Sequence, residues 1–231
     1  MLNKAILTIS CLLICGCGSI EGTRNKSFTA HEPNIKCNIE SLAIMPVMEN
    51  AVMPGLSIQL EKALYENIRS KLPNTRIIDT QTFSSRLAKN DLISDFGKWK
   101  SGYEATSILD PRPLLSFSNA TDTEYFLLVR STHLSREKIR AVDTGYSGWV
   151  SDAKNVWRTD LKVSAELINA KTGSVVWQGF GCAENVNSPR KDIDLFLVIV
   201  QQKNPEVKSF APEMIQVAAD GIASQLANIH R

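Results

Sequence analysis

The residues best placed to do chemistry are cysteines. The chain opens with Met1-Leu2-Asn3-Lys4, runs through an apolar stretch from Ala5 to Ile14, and reaches Cys15-Gly16-Cys17. Lys4 is a short positive leader, and the apolar run is too short to span a bilayer but suits an export signal. A small residue just before a cysteine is what lipoprotein signal peptidase requires. Residues 1–16 are therefore expected to be a cleaved signal peptide, and Cys17 the lipid-bearing first residue of the mature chain. Cys15 stands where Ala or Ser is more usual. A single acyl chain holds a protein only marginally, whereas two or three hold it firmly. Gly18 and Ser19 follow, with no Asp after the cysteine. In proteobacteria that pattern resembles the default for transfer to the outer membrane, so the body is expected to face the periplasm.

Two further cysteines, Cys37 and Cys182, lie in the body. In an oxidising compartment such a pair is commonly bridged, and a disulfide is one reading. Two separately buried thiols are the other. Metal binding has little support, because the sequence holds no CxxC and no Cys/His cluster.

Hydrolysis by a nucleophile needs Ser or Cys beside His and an acid. The three histidines are His31, His133 and His230. Gly145-Tyr146-Ser147-Gly148 looks like a nucleophile elbow but lacks the second Gly at the required offset. There is no HExxH, Walker loop or GxGxxG. Glycan cleavage needs two converging carboxylates, and nothing among the 24 acidic residues selects a pair. The expectation is a protein that is not an enzyme, with no cofactor and no metal.

What remains points to contact rather than catalysis. Arg136, Lys138 and Arg140 stand near Tyr146, Trp149 and Trp157. They read as a surface for a partner or headgroup, or as a solvated hairpin whose aromatics turn back on the sheet. Ile193–Val200 reads as a docking or membrane-touching segment, or as buried core, and its apolarity does not decide between helix and strand. Trp99 and Tyr103 lie in a polar helical stretch, where core packing competes with a ligand contact. A formal net charge of +2 argues against nucleic acid as a main partner.

These residues need a frame. Residues 17–36 are polar and read as a short, lipidated, flexible tether. Ser41–Val47 is continuously apolar, a strand buried on both faces. Leu56, Leu60, Leu64, Ile68 and Leu72 recur at helical spacing and stop at Pro73. Arg76–Asp79 is a short strand. Phe83, Leu87, Leu92, Phe96 and Trp99 mark polar helices. Asp110 and Pro111 look like an N-cap and first helical residue, with Leu114, Leu115 and Phe117 as the buried face. Glu124–Leu134 is a strong strand, and 135–155 is a loop or hairpin tip. Trp157–Leu167 alternates at period two, turns through Asn169–Gly173, and returns along Val175–Phe180. Ile215, Ala218, Ile222, Leu226 and Ile229 make a final amphipathic helix. The fold expected is α+β (an α/β sandwich), with a mixed sheet of about five strands backed by helices, as one periplasmic domain over 37–231.

Four of these pieces resemble, in order, a family of periplasmic lipoproteins. It is the curli-export-channel (CsgG-like) and TolB N-terminal-domain-like family, which also includes the penicillin-binding-protein activator lipoprotein. The pieces are Ser41–Val47, Arg76–Asp79, Thr123–Val129 and the hairpin Leu167–Trp177. The hairpin departs from the family with Asn169 where Asp is common. The resemblance implies a structural or assembly component of an envelope export or surface complex. It also implies a homo-oligomer with other envelope proteins as partners. A regulatory module that stimulates a peptidoglycan synthase is the alternative, disfavoured by the short tether.

Overall fold

The computed structural model describes residues 22–29, 36–47, 56–143, 151–187, 195–204 and 212–230. The expected class holds: one mixed sheet is covered by helices on both faces. Strand β3 (Ser41–Ile44) pairs in parallel with β4 (Arg76–Ile78) on one side and with the start of β5 (Tyr125–Asp143) on the other. From β5 the sheet turns antiparallel through β6 (Ser151–Asn169) to β7 (Ser174–Asn187).

Two-sided burial explains the continuous apolar runs. Leu42 and Ile44, with Tyr125, Leu127 and Val129, face helices α1 (Leu56–Lys71) and α5 (Glu213–Ile229). Ala43, Met45, Phe126 and Leu128 face the other way, toward α2 (Thr80–Lys89), α3 (Ile93–Thr106) and α4 (Leu114–Thr121). The α1 and α5 stripes read from the sequence are the buried ones. Close approach of α5 to the sheet requires Gly181, where a Cβ would lie 2.0 Å from the Ala218 carbonyl oxygen.

Several expectations need correction. The expected loop or hairpin tip at 135–155 is mostly strand: β5 runs to Asp143 and β6 begins at Ser151, so these residues are largely the paired arms of a hairpin. Cross-strand pairing satisfies the polar backbone there, so polarity of side chains did not signal a loop. The undecided run is a strand, β8 (Leu195–Asn204), which pairs with Arg136–Asp143 of β5. Among the described residues the sheet thus has eight strands rather than about five.

The expected flexible tether is partly sheet as well. Strands β1 (Gly22–Asn25) and β2 (Phe28–Thr29) lie antiparallel on the free edge of β7. Asp110 does not cap α4, which starts later, at Leu114. Its carboxylate instead accepts from the Arg112 backbone N–H at 3.1 Å and from the Arg112 guanidinium. Leu114 and Phe117 are buried as expected, but Leu115 is 50% exposed. A cap that does form is Asp79, which accepts from Thr82 N–H at 2.7 Å and starts α2.

At the 169–174 turn the Asn169 side-chain oxygen accepts from the N–H groups of Lys171 and Thr172. An aspartate would accept the same two bonds, so the departure from Asp leaves the turn intact. Gly173 adopts φ of +64° there, which favours glycine.

Candidate functional site

Beyond the helix-covered body, β8, β5, β6 and β7 continue as a four-stranded antiparallel ribbon. A bulge in β5 falls between Val129 and Ser131, and beyond it Leu134, Leu161 and Ala183 still pack with the core on the α5 side. Bulges re-aim a strand. Arg130 is the extra residue, and its guanidinium turns back over Tyr103, 4.5 Å from the ring centroid.

The body's main polar cluster sits beside this bulge. Glu166 on β6 is buried, and both carboxylate oxygens are engaged. Tyr103 donates to Oε2 at 2.6 Å; Gln178 at 2.7 Å and Arg130 at 3.3 Å donate to Oε1. Arg130 also donates to Ser107 Oγ at 2.8 Å. Burial, and then the hydrogen bond and charge of Glu166, push the Tyr103 hydroxyl well above its ordinary range, with Arg130 opposing. With Tyr103 held protonated and donating to Glu166, the pair clamps α3 to the sheet.

The ribbon face beyond Glu166 is lined with charges. Arg158 pairs with Glu137 at 2.7 Å and with Asp160 at 3.1 Å. Asp160 stands directly opposite Glu184 in the ladder, and Lys26 pairs with Glu184. Burial raises the Asp160 carboxyl, Arg158 and Lys26 lower it, and Glu184 and Glu137 raise it further. Lys162 lies over the Phe180 ring, 3.9 Å from its centroid. No group of three or more His, Cys, Asp or Glu side chains among the described residues is arranged to hold a metal.

Of the expected contact residues, Arg136, Lys138 and Arg140 are strand residues of β5. The Arg136 guanidinium lies 4.7 Å from the centroid of the Trp157 ring, a cation–π contact. Lys138 and Arg140 stand in β5 opposite Trp157 and Asn155. Tyr146 and Trp149, like Cys17, His31 and Ser147, lie outside the described residues. His133 is exposed on β5. The His230 Nδ1 accepts from the Ile39 backbone N–H at 3.2 Å, a structural use.

Cys37 and Cys182 are free thiols, which corrects the disulfide reading in favour of separate thiols. Cys37 packs with the core on the α1/α5 side. Cys182 alternates with Gly181 and Ala183, which face α5, so its side chain lies on the opposite face of the sheet.

Trp99 and Tyr103 are core, as one of their two readings had it. They also floor an apolar cleft of about 580 Å³ between α3, α4 and the 108–113 segment, with Ile108 exposed at its rim. The cleft can take an apolar side chain. Its charged rim residues Asp95 and Asp110 are paired with Lys98 and Arg112. The Tyr103–Glu166 clamp was missed by sequence reading. Its only signal was a carboxylate on the wet side of an alternating strand, level with buried neighbours.

Fold and site define an α+β protein whose helix-covered body extends into a charged four-stranded ribbon. No family model matches the chain, and no curated protein matches it. Among solved structures it is similar to the PelC dodecamer from Paraburkholderia phytofirmans. The identity is 13%, the TM-score 0.41, and the alignment covers 90% of this chain and 99% of that chain. A substituted form of the same dodecamer gives the same identity and coverage with a TM-score of 0.42.

Proposed function

We propose that this chain is a periplasmic lipoprotein, anchored to the outer membrane through Cys17. It works as a non-catalytic structural or assembly component of an envelope export or surface complex, as a homo-oligomer. The observation that carries the reading is the ribbon with its unequal edges. On one side β7 is covered by β1 and β2. On the other, β8 pairs with β5 and with no other strand among the described residues. An open strand edge is a template for pairing with another chain. Two different edges on one subunit favour head-to-tail contacts, which close into rings when the rotation permits. A shared membrane anchor confines subunits to two dimensions and raises their effective concentration.

The synthase-activator alternative needs a long reach across the wall. Binding of residues 22–29 into the sheet shortens the free tether further and disfavours that role. The family resemblance stands with this proposal and is judged by the same experiments.

Two measurements in intact cells test it. Wild-type protein should label with palmitate, and Cys17→Ala should not. A photocrosslinking residue at Gln202 on β8 should give a covalent homodimer. Labelling that survives Cys17→Ala would overturn the anchor, and a Gln202 crosslinker that captures no second copy would overturn the strand-edge contact.

A further inference from the structure

Three of the four large apolar side chains that stand exposed among the described residues gather at the apolar cleft: Ile93 in α3, Leu115 in α4 and Ile108 between the two helices. Ile108 is 73% exposed and lines the rim of the cleft. Ile93 and Leu115 each follow or precede, in the chain, a residue that lines it, Leu92 and Ser116. Single exposed apolar residues are ordinary, but several around an apolar hollow mark a contact surface.

The local structure fixes both the knob and the hollow. Helix α3 ends on Ser107, in the left-handed region with φ of +56°, whose N–H donates to the Tyr103 carbonyl at 2.8 Å. A serine holds that conformation only where its surroundings impose it. Here Arg130 donates to Ser107 Oγ at 2.8 Å, and Ile108 N–H donates to Thr106 Oγ at 3.1 Å. Ile108 is thereby presented at the rim on a braced turn. Trp99 Nε1 donates to the Asp110 carbonyl at 2.9 Å and pins the 108–113 segment to α3. The hollow opens over Gly102, where a Cβ would meet no atom within 4 Å. Glycine inside a helix weakens it, and no close neighbour among the described residues requires this one. Its bare backbone leaves room for a side chain from outside.

The occupant has to cover the knob as well as the hollow. A small ligand would fill the cleft and leave Ile108 in water. The rim carries exposed charges of both signs in equal number, Asp95 with Lys98 at 3.8 Å and Asp110 with Arg112 at 2.8 Å. A strongly charged partner finds no field of one sign there, and a lipid surface would strip water from all four groups. A second copy of the chain meets every one of these terms. A surface that holds knob, hollow and both charge signs is complementary to itself across a two-fold axis.

We infer that the cleft is an isologous contact with a second copy of this chain. Ile108 of each subunit enters the hollow over the other's Gly102, and Asp95 and Asp110 face Lys98 and Arg112 across the axis. The inference rests on the homo-oligomer reading and adds a second interface to it. That interface is built by helices and the 108–113 segment, not by strand edges, so one subunit can make both contacts.

The test uses full-length protein in intact cells. Benzoylphenylalanine placed at Ile108 should give, on illumination, a covalent homodimer whose crosslinked peptide comes from α3 or α4 of the second copy. Gly102→Leu in the same protein fills the hollow and should lower the dimer yield several-fold. Helix content should be kept, since leucine favours helix over glycine and its Cβ has space. A yield unchanged by Gly102→Leu, a crosslink to any other element, or capture of a different protein would overturn the two-fold contact. A Gln202 crosslinker that captures a second copy while Ile108 captures none would overturn this contact alone and leave the homo-oligomer standing. No second copy captured from either position would overturn both.

Discussion

The Tyr103 hydroxyl donates a 2.6 Å hydrogen bond to Glu166 Oε2 and ties the last turn of α3 to the C-terminal part of β6. The bond closes a network that also holds Arg130, Gln178 and Ser107. It sits where α3 meets the sheet beside the β5 bulge, so it is expected to stabilise that contact. Tyr103→Phe should cost about 1–2 kcal/mol in urea unfolding. Glu166→Ala should cost about 2–3 kcal/mol, since it strips the partner from an Arg130 side chain that is only 27% exposed. The folded state holds the Tyr103 proton more tightly than the unfolded state. The stabilisation is therefore complete below the unfolded tyrosine value near pH 10 and is lost as pH rises beyond it. The alkaline fall in stability should be shallower in Tyr103→Phe; an unchanged fall would remove Tyr103 from the network's energetics.

Asp160 gives the opposite limb. Burial raises its carboxyl above the ordinary value near 4, against the pull of Arg158, and the folded state again binds the proton more tightly. That contribution is full at low pH and disappears as pH rises from about 4 through the raised value. Asp160→Asn should therefore gain stability relative to wild type over that rise. Chemical denaturation at a series of pH values checks it, and parallel profiles for the two proteins would contradict it.

Cys37 and Cys182 should titrate as two free thiols in denaturant without reductant. Burial raises both, so thiolate is scarce at neutral pH and reaction in the native state should be slow. A protein from the periplasm with neither thiol titratable until reduced would reinstate the bridge.

The two-faced burial of Leu42–Met45 and Tyr125–Val129, and the α1 and α5 stripes, were legible because local apolar patterning and burial coincide there. The length of the ribbon was not. Residues 135–143 and 151–156 are polar or mixed, and their strand state comes from cross-strand backbone bonds that no local pattern encodes. Strand β1 was hidden for the same reason: Gly22–Asn25 pairs with residues far away on β7. The Asp110 signal was a real hydrogen-bonding carboxylate given the wrong partner, because Arg112 competes for it two residues on. The cysteine pairing failed on strand alternation, since one residue of register decides the face.

The central claim is that the lipidated protein assembles with copies of itself, and its native mass tests this most directly. Protein extracted from membranes in mild detergent should have a mass that is a fixed multiple of the acylated chain. Charge reversal on the ribbon by Arg136→Glu with Arg140→Glu should reduce that mass while the folded helix and strand content is kept. A palmitate-labelled protein that remains a monomer at every concentration, with no second copy recovered by crosslinking in cells, would contradict the account.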